Sequence, residues 1–285
     1  SPDLDFLPGA DCKLNKGANL PLDDGPMGSI GFPLKTNLFP TTGNQKGLVI
    51  LVDFSDVPMT DEVKPVWINY SIPNAEKEFL HASFGKLKLK IDIASKVYRL
   101  SKPSTYYSLL AEESGGPVAG APDPKLDEVV IDSMKAADPD IDYNQYGFVA
   151  VGTPRSPTLL LSGAVGLGRF PTLFDGKSFD LGDFVPMDAH TPVNKKYKAY
   201  DLSHDIGHML GVMHPYVDTS PIHGAWDLMW PFAFQNDFLG WNKWKLGWID
   251  DAQVNCLSTS LNKEVVQKLS PIGEPTNSKK MIVIK

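Results

Sequence analysis

Three of the six histidines of the chain fall within eleven residues, as His204, His208 and His214. His204 and His208 are spaced i, i+4, so on a helix they share one face. Two neutral imidazoles placed this way can grip one metal ion, and Zn²⁺ suits them. Gly211 lets the chain leave the helix in a left-handed conformation, and Pro215 prevents its continuation. His214 is then placed to swing back as a third ligand. Three protein ligands leave a fourth position open, as catalytic rather than structural zinc requires. Asp205 lies beside the first ligand and adds a carboxylate. Tyr216 offers a hydroxyl donor two residues after His214, or simply packs. His223 reads as a surface or core histidine before it reads as a fourth ligand.

The elements around these residues follow from apolar spacing. Residues 197–213 form the predicted active-site helix, with Leu202, Ile206, Met209, Leu210 and Met213 on its core side. Leu48–Val52 is a short branched run, expected as a buried strand. Leu87, Leu89, Ile91 and Ile93 alternate with polar residues, as a half-buried strand does. Helices are expected over 75–83 and 124–137, and strands over 146–152, around 159–162 and over 281–284. The expected fold is α/β (α+β) with a mixed twisted sheet. Residues 1–45, rich in Gly, Pro, Asn and Asp, read as a loop-rich arm, and 46–285 as a single catalytic domain. Trp241, Trp244 and Trp248 are spaced i, i+3, i+7 and read as core.

The 204–214 segment resembles HExxHxxGxxH, the long zinc signature of metzincin-type metallopeptidases. That resemblance implies His204, His208 and His214 as metal ligands, with Asp205 in the general-base position usually held by Glu. Asp is shorter than Glu by about 1.5 Å, one C–C bond. Met229, 15 residues after His214 within GAWDLM, matches the Met-turn that lies beneath the metal in that family. The chain as a whole is similar to the immune inhibitor A-like secreted metallopeptidases. The matching pieces are LVILVDFSDV (48–57), SFGKLKL (83–89), GAWDLM (224–229) and FLGWNKWKLGWID (238–250). In that group the third ligand is often Asp, where this chain has His214. The resemblance implies a secreted zinc endopeptidase that hydrolyses peptide bonds through a metal-activated water. The alternative it leaves is a weak or inactive relative that keeps the groove to bind peptides. An edge strand carrying Leu160 and Leu161 is the expected partner of a substrate chain.

Other features exclude functions or leave them open. The formal net charge of −7, without a basic block, disfavours nucleic acid and anionic membranes as partners. No apolar run is long enough to span a bilayer. Asp53 with Asp56, and Asp180 with Asp183, are candidate Ca²⁺ ligands or plain acidic loops. GKS at 176–178 is no phosphate loop, because Pro171 stands where its first Gly belongs. Cys12 and Cys256 are either two buried thiols or one disulfide between the chain's ends, the second matching an extracellular setting. The start at Ser1, without Met, reads as a processed form. Substrate and oligomeric state stay open at this level.

Overall fold

The computed structural model describes residues 6–14, 31–34, 38–110, 120, 123–160, 162–167, 170, 172–187, 195–213, 227–229, 237–258 and 264–285, with backbone alone at 187 and 195–201. The Leu48–Val52 run lies inside the longer strand β2, Gly43–Asp53, and β1 is the short Leu7–Pro8 pair before it. β2 is central because both its faces are apolar. Val49 and Leu51 point into one core and Leu48, Ile50 and Val52 into another. A helical segment follows as α1 (Val63–Val66), a wider turn over Trp67–Ser71 and α2 (Ile72–Ala82). It is longer than the expected 75–83 because Val63 and Trp67 also bury against the sheet.

The chain returns as β3 (Leu87–Arg99), then α3 (Leu126–Ala137), β4 (Phe148–Pro154), β5 (Gly163–Gly166) and β6 (Leu181–Met187). These strands form one sheet of order β3-β2-β4-β6-β5. Its first four members are parallel, and β5 runs antiparallel to β6 along the edge. The mixed α/β fold class follows from this ladder. Helix α3 covers one face, while α2 and α4 (Lys195–Met209) cover the other. Glycine sets the closest approach of one layer: a Cβ on Gly152 would sit 2.8 Å from the Trp67 ring.

The last third adds α5 (Gly240–Lys245), β7 (Val254–Leu257) and β8 (Met281–Ile284). β7 pairs with β1 and β8 in a second, three-stranded sheet. Cys12 and Cys256 are joined, with 5.5 Å between their Cα atoms and 244 residues between them in sequence. Part of the N-terminal 45 residues is therefore packed structure: Cys12, Phe32 and Phe39 are all buried. Trp244 is buried beside Phe32 and the disulfide, whereas Trp248 lies in the core beneath α2. The tryptophans thus serve two cores rather than one helix face, because α5 ends before Trp248.

The expected strand at 159–162 is displaced. Leu159 is fully buried, and the Leu160 N–H donates to the Leu109 carbonyl at 2.9 Å, so this stretch is a packed loop. The edge strand begins after it, at Gly163, and Leu161 lies outside the described residues. The acidic pairs are built into the frame. Asp53 is clamped by the Arg99 guanidinium at 2.5 and 2.8 Å and by the Met59 N–H at 2.8 Å. Asp56 accepts from the Ser104 N–H and hydroxyl at 2.8 and 2.7 Å. Asp183 is fully buried in β6.

Burial raises the pKa of the Asp53 carboxyl, but the Arg99 guanidinium and the Met59 N–H outweigh this and hold it below its ordinary value. A carboxyl with a lower pKa folded than unfolded contributes stability above its unfolded value, about 3.9, and loses it as pH falls through the folded value. Asp53→Asn is therefore expected to lower stability at pH 7 by about 1–2 kcal/mol, the modest figure reflecting the exposed Arg99. Urea unfolding should show the gap between variant and parent narrowing as pH falls below the unfolded carboxyl value of about 3.9.

Candidate metal centre

Helix α4 delivers its histidines through its own termination. The Gly211 N–H donates to the His208 carbonyl at 2.9 Å and the Val212 N–H to the Gly207 carbonyl at 3.1 Å. This double bond pattern is a Schellman cap and needs a left-handed residue after the helix. Gly211 supplies it with φ of +88°. The helix thus ends at Met209, earlier than the expected 213. The reversal brings the Val212 carbonyl back over the last turn, 2.9 Å from Nδ1 of His208. Upstream, the buried Ser203 hydroxyl donates to Glu78 of α2 and ties the helix to its neighbour.

The second fixed carbonyl comes from the segment around Met229. The Leu228 carbonyl lies 3.0 Å from Nδ1 of His204. Its turn is shaped by the buried Asp227, which accepts from the Met229 N–H at 2.8 Å, the Leu239 N–H at 2.9 Å and Asn242 Nδ2 at 3.0 Å. Met229 is fully buried and seats against Gly207, between the two histidines on α4. A Cβ at Gly207 would lie 2.3 Å from Met229 Sδ and 3.1 Å from its Cε.

A carbonyl only accepts, so each histidine carries its hydrogen on Nδ1 and presents a lone pair at Nε2. The two Nε2 atoms face each other at 3.2 Å, with the rings nearly perpendicular. Two acceptors this close repel unless a proton or a metal cation stands between them. Two imidazoles on one tetrahedral zinc have their nitrogens about 3.3 Å apart, from bonds of about 2.0–2.1 Å. A carboxylate oxygen of Asp205 completes a group whose ligand atoms all lie within 4.8 Å of one another. His204, Asp205 and His208 are 8, 5 and 4% exposed, so the group is nearly closed to water. Its donors and its spacing fit a divalent metal, and carbonyl-anchored Nδ1–H groups are the usual support for metal-binding histidines.

His214, Tyr216 and His223 lie outside the described residues, so the structure brings together two of the three expected histidine ligands, with Asp205 and Met229. Spacing alone did not single out Gly207, Asp227 or Leu228. Gly207 carried a signal, because an interior helical Gly costs about 1 kcal/mol against Ala and calls for a packing reason. The cavity of about 260 Å³ at the foot of α4 is lined by Phe39, Phe148, Lys177, Asp180 and Met209 among others, and by none of the metal group.

Comparison with family models and with curated proteins finds no match. Among solved structures, archaemetzincin from Methanopyrus kandleri is similar at a TM-score of 0.37 and 15% identity, over 72% of this chain and 94% of that one. Metalloproteinase-II from Bacteroides fragilis is similar at a TM-score of 0.38 and 16% identity, over 75% of this chain and 55% of that one.

Gly→Ala inside an exposed helix stabilises by about 1 kcal/mol, through helix propensity. Gly211→Ala is expected to have the opposite sign. A left-handed non-glycine residue costs about 1–2 kcal/mol, and the added methyl would meet Leu38 Cδ1 at 2.6 Å. Urea unfolding of the metal-free protein checks the sign. A parallel zinc titration should show weaker binding, since the Val212 carbonyl moves with the turn.

Proposed function

We propose that this chain is a zinc metallopeptidase acting on peptide or protein substrates. The observation that carries the reading is the pair of His204 and His208 Nε2 atoms, held face to face by two backbone carbonyls beside the Asp205 carboxylate. His204 and His208 would hold the metal together with His214, which the sequence places just beyond the Gly211 reversal. When bound, such an ion supplies Lewis acidity and an activated water. Asp205 takes the proton of the attacking water and returns it to the leaving amine. Its short side chain is accommodated in this reading, because one of its oxygens and one nitrogen of each histidine all lie within 4.8 Å of one another. Met229 floors the site and carries no proton. Tyr216 is assigned the donor role toward the developing oxyanion.

The substrate is proposed to lie along β5, the antiparallel edge strand that packs near α4, by strand addition. This replaces the Leu160–Leu161 stretch as the pairing edge. The Cys12–Cys256 disulfide supports an oxidising, extracellular setting, in keeping with the likeness to immune inhibitor A-like secreted enzymes. No described helix is long and apolar enough to cross a membrane. The second reading, a zinc-keeping peptide-binding relative, is favoured by Asp205 standing where the signature has Glu.

Metal analysis and cleavage of a diverse peptide library decide between them. The zinc-loaded chain is expected to carry one zinc and to cleave. His208→Ala should lose both properties. Asp205→Asn should keep zinc and cleave at least about 10²-fold more slowly, as loss of a general base predicts. Cleavage untouched by His208→Ala would sink the peptidase reading, and zinc without cleavage in the parent would establish the binding relative.

A further inference from the structure

Helix α5 turns three polar side chains inward. Asn242, Lys243 and Lys245 are 8, 0 and 5% exposed. Lysines are almost never buried this far unless paired, and two of the three, Asn242 and Lys245, reach the two segments whose carbonyls hold the histidines. Asn242 Nδ2 donates to Asp227 at 3.0 Å, Lys243 pairs with Asp237 at 2.6 Å, and Lys245 Nζ donates to the Gly211 carbonyl at 2.9 Å. Asp227 immediately precedes Leu228, whose carbonyl fixes His204. Gly211 immediately precedes Val212, whose carbonyl fixes His208. The two carbonyls that set the histidine tautomers are thus each one residue from a group fastened by the same six-residue helix.

We propose that α5 is a positioning clamp for the metal site, with Asn242 and Lys245 as its positioning residues. The inference rests on the metal reading above. The helix has an independent hold on the fold through buried Trp244 and Leu246 and through its own Schellman cap at Gly247, φ +74°. The fold therefore does not rest on the inward polar groups alone, although truncating one of them leaves its buried acceptor short of a donor and lowers stability somewhat. What those groups add is direction: they fix where two peptide planes point.

The test uses the full chain and reads zinc affinity by competition with a chelating dye, alongside urea unfolding without metal. The variants are Asn242→Leu, Lys245→Met and Lys245→Arg. Lys86→Met is the control, since the half-exposed Lys86 reaches the Gly247 carbonyl at 3.1 Å at the outer end of the same helix. Asn242→Leu and Lys245→Met are expected to bind zinc about 10-fold or more weakly, the scale of losses behind a ligand histidine. Both should still unfold cooperatively without metal, at midpoints lowered by the unsatisfied acceptor, Lys245→Arg should recover part of the affinity, and Lys86→Met should match the parent. The Co²⁺-loaded visible spectrum should shift in the weakened variants. Parent-like zinc affinity in the folded variants, or an equal loss in Lys86→Met, overturns the clamp and leaves the metal reading standing. A parent that binds no zinc removes both. If Lys245→Met does not fold, Asn242→Leu carries the same comparison with the same two outcomes.

Discussion

Two lone pairs aimed at each other across 3.2 Å are the constraint around which this molecule is organised. Left to themselves, two imidazoles on one helix face would rotate apart or trade tautomers. Here neither can, because a backbone carbonyl accepts the Nδ1 hydrogen of each. Both carbonyls come from irregular segments, one beyond the end of α4 and one beside Met229. The precision of the pair is therefore borrowed from turns, which are the least self-stabilising parts of a chain. That explains why so many buried polar groups outside the ligand set converge on those turns. Asp227 gathers three donors, and Lys245 gives up its hydration to reach one peptide oxygen.

The sheet supplies what turns lack. β2 and its parallel neighbours are apolar on both sides, so α4 lies on a continuous surface shared with α2. Ile206, Met209 and Leu210 bury completely or nearly so against that surface, which fixes the helix's rotation and sends His204 and His208 to the opposite side. The C-terminal unit closes over that opposite side with Met229 and Phe238, and a missing Cβ at Gly207 brings it into contact with the helix. The candidate metal centre is thus an interlayer feature: one wall is a helix pinned by the sheet and the other is a loop held to the start of α5 through Asp227.

Much of this was legible in the sequence. The i, i+4 histidines, the Gly that reverses the chain and the Met downstream are local signals, and local spacing reports them directly. The Leu48–Val52 run announced a buried strand because branched residues on both faces leave no solvent side. The failures share a cause. Leu159 and Leu160 are apolar and branched at Cγ, but Leu159 is buried beside Leu109, a partner fifty residues away that no periodicity encodes, and the Leu160 N–H donates to that residue's carbonyl. The three-stranded sheet was missed because β1 has two residues and exists through its partner β7. Nothing in the local spacing marks Asn242 and Lys245 as buried. Their burial is visible only once the segments they reach are folded beneath them.

The bond between Cys12 and Cys256 spans 244 positions and turns nearly the whole polypeptide into a covalent ring. A ring tolerates one cut. A nick anywhere between the two cysteines leaves both products attached, so the damaged molecule keeps its mass, and the fragments keep the high mutual concentration that tethering gives. For any protein exposed to proteases, this is a form of durability that folding energy alone does not provide. Such a nicked molecule runs as a single intact chain on a denaturing gel and comes apart only after a thiol is added.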